Sequence, residues 1–154
     1  MGQLEVFISR DQINQKIAEL ADRIREDYRD TNPLLIGALK GSFIFMSDLV
    51  RALDIPLEID FLSVSSYGSG TQSSGKIEMR QDLKTPVKNR HILIVEDIID
   101  TGLTSHFILE KMREKNPTSL RICSLLDKPS RRKVEVTVDY LGFTVPDKFI
   151  LPCQ

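Results

Sequence analysis

The apolar residues Ile13, Ile17, Leu20, Ala21, Ile24 and Tyr28 recur at helical spacing and predict an amphipathic helix over Ser9 to Tyr28. Ser9 and Gln12 stand three positions apart, the spacing of a capping box. Pro33 closes that region, and Leu34 to Leu39 follows as a short apolar strand. Gly41 to Leu53 predicts a second helix, with Phe43, Ile44, Met46, Leu49, Val50 and Leu53 as its apolar positions. After Pro56, the residues Leu57, Ile59 and Phe61 alternate with Glu58, Asp60 and Leu62, which predicts a strand. His91 to Val95, HILIV, is the cleanest buried strand in the chain. Thr101 to Lys115 predicts a helix on Leu103, Phe107, Ile108 and Met112, closed by Pro117. Leu120 to Leu126 and Val134 to Val138 predict two more strands, and Phe149 to Leu151 is a short apolar end. Helices alternate with strands, and strands 34–39 and 91–95 run directly into helices. The expected fold class is therefore α/β, a largely parallel central sheet flanked by helices. Ligands in such sheets bind beyond the carboxyl ends of the strands.

The stretch Ser65 to Lys76, SSYGSGTQSSGK, has no residues with which to bury a core face. It reads either as a flexible connection or as a lid or binding loop, the usual role of so long a loop inside a domain. At 154 residues, the chain is expected to form one domain, 1–154, large enough to bury a core without staples. Hydrophobic residues at 41% exclude an intrinsically disordered chain. A net charge of −1 removes any whole-chain signal for nucleic-acid or membrane binding. No apolar run reaches membrane-spanning length, and the N-terminus lacks the pattern of a secretory signal. Cys123 and Cys153 form neither a disulfide framework nor a zinc pattern, so the expected compartment is the cytoplasm.

The strongest chemical signal runs from Val95 to Thr104, VEDIIDTGLT. A buried strand delivers the carboxylates of Glu96, Asp97 and Asp100, and a Thr-Gly-x-Thr turn then opens a helix. Unpaired amides at a helix N-terminus attract anions. Gly102 lets the backbone come close, and Thr101, Thr104 and Ser105 add hydroxyl donors. The turn has the makings of a monophosphate cradle, and the acids before it can hold sugar hydroxyls or a hydrated Mg2+. The bland reading is an acidic loop in which Asp100 or Thr101 merely caps the helix.

This string resembles the phosphoribosyl-diphosphate motif of the phosphoribosyltransferases, and the chain is most similar to their hypoxanthine-guanine branch. Four further matches keep the same order. Leu39-Lys40-Gly41-Ser42 resembles the pyrophosphate loop. Ser65-Ser66-Tyr67-Gly68 resembles the start of the mobile catalytic lid. Leu126-Asp127-Lys128-Pro129-Ser130-Arg131-Arg132 resembles the segment whose lysine reads the purine. Tyr140-Leu141-Gly142-Phe143 with Val145-Pro146-Asp147-Lys148-Phe149 resembles the segment that places a ring over the base.

The resemblance implies a type I phosphoribosyltransferase fold with a small hood and a mobile loop. It implies transfer of the 5-phosphoribosyl group from phosphoribosyl diphosphate to hypoxanthine, and to guanine, giving the nucleoside monophosphate and pyrophosphate. It implies Mg2+ as cofactor, Glu96 and Asp97 facing metal and ribose, and Asp100 as general base. Asp100, Thr101, Gly102, Leu103, Thr104 and Ser105 then hold the 5′-phosphate. Lys40 and Gly41 hold pyrophosphate, with the peptide bond before Lys40 in cis. Lys128 donates to the 6-oxo group, Phe149 stacks on the base, and Ile150 touches it through its backbone. Arg132 lies near pyrophosphate and lid, and Ser66 and Tyr67 close over the centre. The family also implies a homodimer or homotetramer. One departure is plain: the family's Gly-Tyr-x-Leu-Asp-Tyr piece, with its aspartate and a later arginine, is not found after Phe149, where the sequence reads ILPCQ. The expectation is a domain shortened at that end. The alternative function is a catalytically impaired nucleotide-binding or regulatory protein on the same fold.

Overall fold

In the computed structural model, which describes residues 6–67, 76–147 and 149–150, a two-residue strand β1 (Val6–Phe7) leads into helix α1 (Arg10–Tyr28). Ser9 Oγ accepts the Gln12 amide at 3.1 Å and Gln12 Oε1 accepts the Ser9 amide at 2.8 Å, completing the capping box. The chain continues as β2 (Leu34–Ala38), α2 (Phe43–Leu53), β3 (Glu58–Tyr67), β4 (Lys76–Gln81), β5 (His91–Ile99), α3 (Leu103–Arg113) and β6 (Ser119–Asp127). A 3-10 turn (Pro129–Arg131), β7 (Tyr140–Thr144) and β8 (Phe149–Ile150) complete the described elements.

Six strands form one sheet in the order β4-β3-β2-β5-β6-β7, parallel except for β4 at one edge. β1 and β8 pair separately, in parallel. Leu34, Leu35, Ile36, Ile92, Leu93, Ile94 and Val95 are almost wholly inaccessible, because the central strands are covered on both faces. Ile17, Leu20 and Ile24 of α1 and Phe45, Leu49 and Leu53 of α2 pack with Leu35, Leu93 and Val95 on one face. Ile108, Leu109 and Met112 of α3 pack with Ile36, Ile92 and Ile94 on the other. Among the described residues, no helix is long and apolar enough to cross a membrane.

Three expectations change. First, β5 runs on through Ile99, so Glu96 and Asp97 lie inside the strand rather than after it. β6 supplies partners to the end, Glu96 opposite Ser124 and Ile99 opposite Asp127, and backbone pairing is indifferent to side-chain charge. Second, Val134–Val138 is not a strand. Its half-buried valines alternate with exposed residues and so imitate one, but the edge of β6 is taken by Asp139 and β7. The Asp139 amide donates to Ile122 O at 3.0 Å and its Oδ2 accepts the Ile122 amide at 2.9 Å. Third, Ser65–Tyr67 belong to β3, hairpinned with β4, a strand the sequence did not predict. An antiparallel edge needs only one half-buried face, which Ile77 and Met79 provide. Residues 68–75 of the polar stretch, and with them the expected mobile loop, lie outside the described residues.

Asp60 ties the segment after β4 back onto β3. Its Oδ1 accepts the Phe61 amide at 2.7 Å, and its Oδ2 accepts the Lys84 and Thr85 amides at 2.8 Å each. Burial alone would raise its pKa, but the bonds from Thr85, Phe61 and Lys84 together pull it below its ordinary value. Asp60→Ala is expected to lower stability by about 1–3 kcal/mol in urea unfolding. The stabilisation by Asp60 is fully present above the ordinary carboxylate range and fades as pH falls through the lowered value, so wild type and variant should converge in acid.

Candidate active site

β2 and β5 are neighbours in space although α2, β3 and β4 separate them in the chain. After β2 the chain crosses to one side of the sheet, to β3. After β5 it crosses to the other, to β6. That reversal opens a crevice beyond the carboxyl ends of both strands. A cleft of about 270 Å3 lies there, between Leu39, Gly41 and Ser42 on the β2 side and Glu96, Asp97 and Thr104 on the β5 side.

On the β2 side the Leu39–Lys40 peptide bond is cis, and Lys40 and Gly41 are exposed. Buried Ser42 donates from Oγ to Ala38 O at 2.9 Å. A Cβ built on Gly37 would sit 2.6 Å from that Oγ, so the glycine makes room for the hydroxyl that folds the loop back onto the strand. A second cavity of about 220 Å3 opens between α1 and α2 and shares Gly41 and Asp97 with the cleft.

On the β5 side Glu96 is 8% exposed, and its Oε1 is buried with no hydrogen-bond partner among the described residues. Burial, and then the neighbouring charge of Asp97, push its carboxyl pKa up to about 8. Burial raises Asp97 as well. Beyond the strand, exposed Asp100 accepts the Thr101 amide on Oδ1 at 2.6 Å. Thr101 Oγ1 accepts the Leu103 amide at 3.3 Å. Gly102 has φ +84°, and a Cβ there would fall 2.5 Å from Val134 O, so conformation and space both demand glycine. The amides of Thr104 and Ser105, in the first turn of α3, have no carbonyl of their own helix to meet.

The segment after β6 braces this turn from behind. The Lys133 and Val134 amides donate to Thr101 O at 2.8 and 3.2 Å, and the Lys128 amide donates to Ile99 O at 2.8 Å. Arg132 Nε donates to Asp100 O at 3.1 Å, while its Nη2 is paired with Asp127. The Arg132 side chain is thus turned inward against the turn. Sequence reasoning gave no part to Asp127 or Val134. The available signal was one acid at the end of an apolar strand, which names no partner.

The structure therefore brings Lys40, Gly41, Glu96, Asp97, Asp100, Thr101, Gly102, Leu103, Thr104, Ser105, Lys128 and Arg132 to one edge of the sheet. It does not bring Ser66, Tyr67, Phe149 or Ile150 to that edge through any described contact. Ser66 and Tyr67 end β3 opposite Ile77 and Lys76, and Phe149 and Ile150 pair with Val6 and Phe7. The side chains of these four lie outside the described ones. Among the described residues, no cluster of three or more His, Cys, Asp or Glu could hold a metal unaided.

A family model described as a phosphoribosyl transferase domain matches residues 9–154. The chain belongs to the phosphoribosyl transferase family. The hypoxanthine-guanine phosphoribosyltransferase of Bacillus subtilis (strain 168) is 48% identical over 147 residues, covering 96% of this chain and 82% of that one. The hypoxanthine phosphoribosyltransferase of Haemophilus influenzae is 44% identical over 151 residues, covering 96% and 84%. The crystal structure of a hypoxanthine-guanine phosphoribosyltransferase from Bacillus anthracis superimposes with a TM-score of 0.86 at 40% identity, covering 96% of this chain and 87% of that one. The type I phosphoribosyltransferase fold expected from the sequence is the fold observed, with the changes at β3, β5 and β7 noted above.

Glu96 gives this phosphoribosyl transferase a pH signature. An unfolded glutamic acid releases its proton near pH ~4.3, whereas the folded one holds it to about 8. Between those values the folded chain binds more protons, so its stability falls as pH rises through that window. In metal-free, ligand-free buffer, Glu96→Gln is expected to flatten that fall, measured by urea unfolding between about pH 5 and 9. An unchanged slope would show that Glu96 is not its source.

Proposed function

We propose that this chain transfers the 5-phosphoribosyl group from phosphoribosyl diphosphate to a 6-oxopurine, hypoxanthine or guanine, and so serves purine salvage in the cytoplasm. The observation that carries this reading is Glu96 Oε1, a buried carboxyl oxygen with no hydrogen-bond partner among the described residues, set beside Asp97 in the cleft. Such an atom calls for a hydroxyl or a cation. The names borne by the relatives support the choice of substrates.

Residues 100–105 are suited to the 5′-phosphate: amides at a helix N-terminus, two threonine hydroxyls, and a glycine that admits the anion. Glu96 and Asp97 would face the ribose hydroxyls. Glu96 and Asp97, with no third such ligand among the described residues, would hold Mg2+ in the way that suits this ion, by one or two carboxylates and not an all-protein cage. When bound, Mg2+ neutralises charge on the leaving pyrophosphate. Lys40 and the Gly41 backbone are exposed on the opposite wall, where they would steady that group.

In the transfer, a purine ring nitrogen forms a bond to C1′ as the bond from C1′ to pyrophosphate breaks. Pyrophosphate keeps the electron pair, and the purine proton passes to a base. Asp100 is the exposed carboxylate beside the phosphate turn and takes that part. Lys128 carries donors only, which suits an oxo group and not an exocyclic amine. Phe149 and Ile150 are assigned to the base, Ser66 and Tyr67 to closure over the centre. Arg132 holds the turn in place through Asp100 O and Asp127. Self-association to a dimer or tetramer belongs to the same reading.

A turnover assay with phosphoribosyl diphosphate, Mg2+ and each of hypoxanthine, guanine, xanthine and adenine tests it. Nucleotide is expected from the 6-oxopurines and not from adenine. Asp100→Asn should lower kcat by about 100- to 10,000-fold while nucleoside monophosphate still binds. Nucleotide binding without turnover in the wild type would favour the regulatory alternative and overturn the enzymatic one.

A further inference from the structure

Asp127 closes β6 and is gripped by the sheet on both sides. It stands opposite Ile99 of β5 and Thr144 of β7. Its carbonyl accepts the Val145 amide at 2.9 Å, and the amide that follows it, that of Lys128, donates to Ile99 O at 2.8 Å. At 9% exposure, Asp127 joins Glu96 as a buried acid among the described residues. A carboxylate in such a place is costly unless it is paired. Glu96 Oε1 has no described partner, whereas Asp127 is paired with Arg132 Nη2.

The same guanidinium reaches the turn beyond β5. Arg132 Nε donates to Asp100 O at 3.1 Å. The stem of Arg132 crosses Gly102, where a Cβ would fall 3.0 Å from its Cδ. A guanidinium is planar and holds its donors in a fixed fork, so an anchor on Nη2 also sets the direction of Nε. A line of contacts thus runs from the sheet through Asp127 and Arg132 to the backbone of Asp100. The Asp100 carboxylate is restrained at its other end, where Oδ1 accepts the Thr101 amide at 2.6 Å.

We propose that Asp127 is a positioning residue for the transfer, acting on Asp100 through Arg132 without touching substrate. Two separate ties reach the turn. Thr101 O is held by the Lys133 and Val134 amides, a backbone tie that needs no side-chain charge. Asp100 O is held by the Arg132 side chain, a tie that depends on the charge of Asp127. The first serves the residues suited to the 5′-phosphate, and the second serves the carboxylate assigned to the purine proton. Removing the Asp127 charge therefore slows the chemical step and leaves the phosphate site standing. This inference rests on the reading of Asp100 as the base.

The test is Asp127→Asn in the full chain, with phosphoribosyl diphosphate, Mg2+ and hypoxanthine. The rate of nucleotide formation is followed in a single turnover, where product release plays no part. That rate should fall by about 10- to 100-fold, while affinity for the nucleoside monophosphate stays within about threefold of wild type. Arg132→Gln should slow the same step, and the double variant Asp127→Asn with Arg132→Gln should be no slower than the slower single one, because the two residues act in series. The double variant leaves no unpaired buried charge, so it carries the same two readouts if circular dichroism shows that Asp127→Asn does not fold. A wild-type rate in the variant overturns the proposal. So does a loss of nucleotide affinity in step with the rate, which would make the pair a support of the whole turn, and so do losses that multiply in the double variant. An inactive wild type overturns the reading of Asp100 and this proposal with it, whereas an active wild type beside an unaffected variant overturns this proposal alone.

Discussion

The parallel pairing of β2 with β5 is the contact on which the rest of the molecule depends. Leu34 faces Ile92 and Gly37 faces Val95, so the two strands finish together although more than fifty residues of chain lie between them. Neither strand can shift in register without carrying its buried residues out of step with both helical layers. Because the chain leaves β2 toward one edge and β5 toward the other, neither connection crosses the gap. The cleft is the space that this divergence leaves. The Lys40 turn and the acidic turn face each other across it because each is merely the first thing that follows its strand.

Charge is then placed where that framework makes it expensive. Glu96 sits in a strand of mostly apolar residues, and its Oε1 is buried with no hydrogen-bond partner among the described residues. Asp97 next to it compounds the cost of ionising both. An isolated domain selected for stability alone would put a serine or an aliphatic residue there. Holding two acids in that place is useful when a ligand supplies a hydrogen bond or positive charge to Glu96 Oε1.

Much of this was legible in the sequence. The helix at Ser9 could be read to its first residue because a capping box is a local device, written in two side chains three positions apart. The β2 and β5 turns could be read because each is short and follows a long apolar run. Legibility failed where pairing decides. Val134–Val138 has the alternation of a strand and is not one, since Asp139 claims the edge of β6. Ser65–Tyr67 have the composition of a loop and are strand, since β4 offers them a ladder. The bracing contacts of Asp127, Val134 and the Arg132 side chain are silent in sequence for a similar reason. Arg132 and Val134 touch Asp100, Thr101 and Gly102, some thirty residues away, Asp127 holds Arg132, and no spacing rule reports such contacts.

The brace behind Gly102 has a geometric consequence. Residues 127–134 touch the Asp100–Gly102 turn through Arg132, Lys133 and Val134, and the same short segment carries Lys128 at the far end of its attachment to Ile99. The turn proposed for the phosphate and the lysine proposed for the 6-oxo group are therefore hydrogen-bonded into one segment, not set on two separate loops. Such a piece acts as a gauge. Under the proposed roles it would favour a molecule whose phosphate and base stand one furanose apart, and a longer or shorter spacer would satisfy only one end of it.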